Sequence, residues 1–130
     1  MDHSADFTRQ RVAVLGSTGS IGVSTLEVIA QHQQKFEVFA LSASTQTEKL
    51  LAQCVQFRPR FAVMVDQVQA RGLADKCVSL GLPTQILSGA ESLTLMAEHE
   101  SVDIVMAAIV GAAGLASCLA AARAGKRLLL

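Results

Sequence analysis

From Val12 onward, short apolar runs alternate with longer segments in which apolar residues recur every three or four positions. The runs at 11–15 (RVAVL), 37–41 (EVFAL), 61–65 (FAVMV), 84–87 (TQIL), 103–107 (DIVMA) and 127–130 (RLLL) have the length and apolar content of buried strands. The segments 20–32, 46–57, 67–80, 91–99 and 115–124 have helical length and spacing. Pro59 follows the second of these, Gly81 and Pro83 the third and Gly125 the fifth, where helices stop. Regular strand–helix alternation predicts an α/β fold: a Rossmann-type doubly wound parallel sheet with helices on both faces, its strands in the order 3-2-1-4-5-6. In such a sheet ligands bind beyond the carboxyl ends of the strands, so the loops that follow strands form the binding edge. Arg58, Arg60, Arg123 and Lys126 follow helices and are expected on the opposite edge.

Residues 1–10 read as a flexible N-terminal tail and 11–130 as one domain, long enough to bury roughly two-thirds of the surface its unfolded chain exposes. The last run, 127–130, is apolar and carries no cap or polar tail, so the chain reads as the front part of a longer protein, truncated at its C-terminus. Although 51% of the residues are hydrophobic, no apolar run reaches the ~18 residues of a membrane span, and residues 1–11 have no apolar core of a secretory signal. A cytoplasmic protein is expected. Eleven basic and eleven acidic residues cancel, which argues against a nucleic-acid or membrane partner. Cys54, Cys77 and Cys118 are odd in number and sit in apolar segments, as reduced buried thiols do. His3, His32 and His99, on the tail and at helix ends, have no Cys or carboxylate partners at ligand spacing and read as solvated residues, so no metal is expected within the chain.

Candidate chemistry concentrates after the first strand, in Gly16-Ser17-Thr18-Gly19-Ser20-Ile21-Gly22, which leads directly into a helix. A phosphate pair at that point meets unpaired backbone N–H groups and the positive end of the helix dipole. Gly16 permits a tight turn, Gly19 a close approach of backbone to ligand, and Gly22 close packing of helix on strand. Ser17, Thr18 and Ser20 offer hydroxyl donors. No Lys-Ser or Lys-Thr follows, which excludes a triphosphate-binding loop.

The end of the second strand and the following turn read ALSASTQ, with none of the acidic residue that grips a ribose 2′-hydroxyl in NAD-preferring domains. Ser42, Ser44, Thr45 and Gln46 can hydrogen-bond a 2′-phosphate there, and Lys49 is the nearest cation, which favours NADPH. A second small-residue turn, 106–115 (MAAIVGAAGL), follows the fifth strand. Through Ala107, Ala108 and Ile109 it can take a flat nicotinamide ring or its ribose against the backbone; alternatively, its alanines and glycines only let the fifth helix pack closely. Asp66 ends the third strand on the binding edge, where it can meet an adenine or cap the next helix, and capping is the expected role.

LGSTGSIG at 15–22 together with MAAIVGAAGL at 106–115 resembles the 1-deoxy-D-xylulose 5-phosphate reductoisomerase family, and FRPRFAVM at 57–64, LSG at 87–89 and AGK at 124–126 extend the likeness over 11–130. The resemblance implies the NADPH-binding domain of an oxidoreductase and isomerase of isoprenoid biosynthesis, which rearranges and reduces 1-deoxy-D-xylulose 5-phosphate to 2-C-methyl-D-erythritol 4-phosphate. It matches Thr18, Gly19, Ser20 and Ile21 to the family's pyrophosphate-binding positions. Ser44, Thr45 and Gln46 depart from the family's Gly-Lys-Asn at the 2′-phosphate. The resemblance puts the catalytic residues, the ligands of a divalent metal (Mg or Mn) and the grip on the sugar phosphate after Leu130, so no catalytic residue is expected in these 130 residues. The full-length protein is expected to be a homodimer. Two rivals are another NADP-dependent dehydrogenase, such as a semialdehyde dehydrogenase, and a non-catalytic nucleotide-binding or coenzyme A-binding module.

Overall fold

A computed structural model describes residues 8–109 and 111–129. In chain order its elements are β1 (Gln10–Leu15), α1 (Ser20–Gln31), β2 (Phe36–Ala43), α2 (Thr47–Phe57), β3 (Phe61–Met64), α3 (Gln67–Ser79), β4 (Gln85–Ser88), α4 (Ala90–Glu98), β5 (Ile104–Ala107), α5 (Ala112–Arg123) and β6 (Arg127–Leu129). Every strand pairing is parallel. All the expected elements form. The fifth helix starts three residues before its expected Leu115, capped by Gly111, and Gln10 is already paired with Phe36 in a stretch expected to be tail. Residues 1–7 and the expected end of the last strand at Leu130 lie outside the described residues.

The strand order is β4-β3-β2-β1-β5-β6, which corrects the expected 3-2-1-4-5-6. The fourth strand lies beyond the third, at the sheet edge. Helix positions explain why. Leu26, Ile29, Leu50, Cys54, Leu73 and Cys77, from α1, α2 and α3, pack into one core layer with Val12, Val14, Leu41 and Met64. Leu93, Met96, Ala97, Ala120 and Ala121, from α4 and α5, form the second layer with Ala13, Leu15, Val63 and Val105 on the opposite face. Crossovers of constant hand on one face carry the chain steadily outward, here for three steps. Changing face then reverses its direction, so α4 brings β5 back beside β1. The partial exposure of every residue in β4 suits an edge strand.

In β2 the register with β1 shifts between Val12 and Ala13, whose partners are Val38 and Ala40. This bulge leaves Phe39 extra, so Phe39 and Ala40 both face the second layer instead of alternating. Phe39 packs there against Phe61, with ring centroids 5.7 Å apart, and against His99, at 4.9 Å. His99 is half-buried and its Nδ1 accepts a hydrogen bond from Ser101 N (3.0 Å). That corrects the reading of His99 as a solvated helix-end residue.

Candidate dinucleotide-binding site

The chain reverses its direction across the sheet between β1 and β5. The loop after β1 rises to α1 on one face and the loop after β5 to α5 on the other, so the two diverge and leave a crevice at the carboxyl edge. The crevice has a volume of about 360 Å³. Gly16, Thr18 and Gly19 line it from one side, Ala108 and Ile109 from the other, and Ser42 to Ser44 at the end of β2 close a third side.

Three glycines shape the first loop for different reasons. Gly16 has φ +82°, and a Cβ on it would stand 2.7 Å from Ala108 O, so only glycine lets the two loops touch. The contact is held by Ala108 N donating to Leu15 O (2.9 Å). A Cβ on Gly22 would run into the backbone of Gly16 and Ser17, so this glycine seats α1 on the loop that precedes it. Gly19 differs from both. Its φ of −80° and ψ of 174° suit any residue, and the nearest atom to a Cβ there is Gly16 O at an ordinary 3.7 Å. Nothing among the described residues requires glycine at this position, and its Cβ direction is open. Gly19 is also the N-cap of α1, with no side-chain cap and no acidic residue in the first turn. The first N–H groups of α1 therefore keep their donors and the positive end of the helix dipole. Ser20 and Ile21, in that first turn, are exposed.

Ser17 is turned the other way. It is fully buried, its N–H donates to Ser42 O (2.8 Å) and its hydroxyl donates to Gln53 Oε1 (2.7 Å). Gln53 Nε2 donates in return to Ser17 O (2.9 Å), and Ser42 Oγ accepts from Gly16 N (2.7 Å). The Ser17 hydroxyl is committed to the interior and does not face the crevice. Ser42, expected among the hydroxyls at the 2′-phosphate, is buried and braces the glycine loop; Gln53 was missing from the sequence-derived site. For Gln53 a signal existed: it lies beside Cys54 on the inward stripe that Leu50 and Phe57 continue, where a polar residue needs a partner.

Of the remaining candidates, Ser44 lines the crevice, while Thr45 and Gln46 are exposed in the turn between β2 and α2. Ala107 ends β5, paired with Leu15. Among the described residues no carboxylate lines the crevice. Asp66 caps α3, accepting from Gln69 N (3.0 Å). Burial foremost, and then Cys77, push the Cys54 thiol up to about 12 against an opposing hydrogen bond with Thr84; burial also raises Cys77. Both thiols are neutral and unsuited to nucleophilic work. Among the described residues no three His, Cys, Asp or Glu side chains gather to hold a metal ion. Arg58 and Arg60 line a groove at the opposite edge with Arg11 and Glu37, as expected from their place after a helix. Glu37 is paired there with Arg9 (2.9 Å) and Arg11 (3.4 Å).

Known proteins share this arrangement. The family model described as 1-deoxy-D-xylulose 5-phosphate reductoisomerase matches residues 12–130. Curated relatives of that name from Aromatoleum aromaticum and Dechloromonas aromatica are 56% and 54% identical over 121 residues, covering 93% of this chain and 30% of theirs. A crystal structure of DOX-P reductoisomerase in complex with NADPH, fosmidomycin and magnesium superposes with TM-score 0.89 at 49% identity, covering 93% of this chain and 29% of that one. The Zymomonas mobilis enzyme in complex with NADPH gives TM-score 0.86 at 35% identity, over 93% of this chain and 31% of that one. The chain thus spans about 30% of the length of the relatives it matches. Agreement in sequence and fold over nearly all of its length makes this chain a member of the 1-deoxy-D-xylulose 5-phosphate reductoisomerase family.

Proposed function

We propose that this chain is the NADPH-binding domain, over residues 11–130, of an enzyme that converts 1-deoxy-D-xylulose 5-phosphate to 2-C-methyl-D-erythritol 4-phosphate. The observation that carries the reading is Gly19: a glycine without an internal reason among the described residues, set at an uncapped helix N-terminus beside a crevice that no described carboxylate lines. A dinucleotide pyrophosphate supplies the missing reason, because its oxygens need both the donors and the space a Cβ would fill. The residues present therefore fit NADPH. Gly16, Thr18, Gly19, Ser20 and Ile21 hold the pyrophosphate, with Ser17 contributing as a buried brace. Ser44, Thr45 and Gln46, with Lys49, receive the 2′-phosphate. Ala107, Ala108 and Ile109 border the nicotinamide end. When bound, the cofactor supplies a hydride.

The described residues do not fit a divalent metal, so no step is assigned to one here. The magnesium and fosmidomycin named with related structures support a divalent metal and a phosphorylated sugar substrate for the full-length enzyme. A cytoplasmic homodimer is part of the same reading; no helix among the described residues is long and apolar enough to cross a membrane. These 130 residues alone are expected to bind NADPH weakly and to turn nothing over. Calorimetric titration with NADPH and NADH tests the cofactor. A 2′-phosphate held by exposed hydroxyls and one lysine is worth up to ~1 kcal/mol, so NADPH should bind about fivefold tighter. Equal affinities would contradict the assignment.

A further inference from the structure

The geometry points to Gln53 as a positioning residue: it fixes the Ser17–Thr18 peptide so that the Thr18 N–H faces the crevice as a donor to the pyrophosphate. This rests on the dinucleotide reading above. Gln53 stands on α2, remote in sequence from the glycine loop, yet it grips one residue of that loop twice, through Ser17 O and Ser17 Oγ. Its amide orientation follows from the partners. A carbonyl only accepts, so Ser17 O must face the NH2 group, and that turns Oε1 toward the hydroxyl. The hydroxyl has one proton, and the 2.7 Å contact with Gln53 takes it in preference to the 3.1 Å contact with Ser42 O. Ser42 O then accepts the Ser17 N–H (2.8 Å). The peptide units on both sides of Ser17 are thereby fixed, one by β2 and one by α2.

The consequence lies one atom further on. In a trans peptide the C=O and the following N–H point in opposite directions. With Ser17 O held inward on Gln53, the Thr18 N–H must point outward. It has no acceptor among the described residues, and Thr18 lines the crevice. Loss of the grip frees this peptide to rotate, and a rotated peptide presents a carbonyl oxygen to the phosphate in place of a donor.

The test combines a wild-type titration with two variants, followed by amide NMR and calorimetry. In the wild type, NADPH should move the Thr18 amide resonance strongly, whereas 2′-AMP, which has no pyrophosphate, should leave it in place. Gln53→Met keeps the length and packing of the side chain and removes both hydrogen bonds; NADPH affinity should fall about tenfold with 2′-AMP affinity unchanged. Gln53→Glu sets a carboxylate against Ser17 O and should do at least as much damage. The inference is overturned if NADPH binds without moving the Thr18 amide, if the variants bind NADPH as the wild type does, or if both ligands weaken equally, which would mean a displaced α2. Failure of the wild type to bind NADPH would sink the functional reading itself, and this inference with it.

Discussion

Replacing Gly19 and Gly16 in turn by alanine separates a glycine kept for a ligand from one kept for the fold. At Gly19 the backbone is already in a region open to alanine, and the new Cβ meets only Gly16 O, at 3.7 Å. Alanine is a poorer N-cap than glycine by up to ~1 kcal/mol, and reduced freedom of the unfolded chain returns about 0.4–1 kcal/mol. Gly19→Ala should therefore melt within about 3 °C of the wild type. On the proposed reading its methyl group stands where the pyrophosphate must come close, and overpacking of ~1–3 kcal/mol weakens NADPH by roughly five- to 150-fold. Gly16→Ala does the reverse. Left-handed backbone costs alanine ~1–2 kcal/mol, and the Cβ at 2.7 Å from Ala108 O forces the second loop aside, for another ~1–3 kcal/mol. At about 4 °C per kcal/mol, the melting temperature should drop by roughly 8–20 °C. Thermal melts followed by circular dichroism, with calorimetric NADPH titrations, read both effects. A Gly19→Ala protein that binds NADPH like the wild type, or that loses as much stability as Gly16→Ala, refutes the division of roles.

Further predictions follow from the core and the caps. Asp66→Ala removes the acceptor for Gln69 N at the start of α3 and should cost ~1 kcal/mol in chemical denaturation, with NADPH affinity unchanged. Leu50→Ala empties a fully buried position under β2 and should cost ~2–5 kcal/mol by the same measurement. Cys54 keeps its proton in the fold up to about pH 12 but loses it near 9.0 when unfolded. Stability is therefore complete below pH 9 and declines above it, by up to ~1.4 kcal/mol per pH unit; Cys54→Ala should flatten that decline in denaturation curves taken between pH 8 and about 11. In the native protein a thiol reagent should modify half-buried Cys118 first, with Cys54 and Cys77 reacting only as the protein unfolds.

The elements were legible because period and punctuation agree in this chain: Pro59, Gly81 and Gly125 follow helices whose apolar spacing is unambiguous. The strand order was not. It depends on the face taken by α3 and α4, and the apolar stripes of Leu73 and Leu93 say that each helix has an inner side, without saying which layer receives it. The bulge at Phe39 was hidden for a similar reason, since EVFAL fits an unbroken buried strand equally well. In the site, the glycine loop was readable from its position between strand and helix, but the distinct duties of its glycines required distances to Ala108 and Ser17. Ser17 looked like a phosphate donor because serine in such a loop offers a hydroxyl; Gln53, 36 residues later, claims that hydroxyl. Contacts between residues so far apart leave no local pattern.

The central claim is that the crevice between β1 and β5 receives the dinucleotide. A crystal structure of this chain grown with NADPH tests it most directly. The pyrophosphate should lie over Gly19 at the start of α1, with the 2′-phosphate near Ser44 and Thr45 and the nicotinamide end toward Ala108. NADPH seated in the Arg11, Arg58 and Arg60 groove at the opposite edge would contradict the claim.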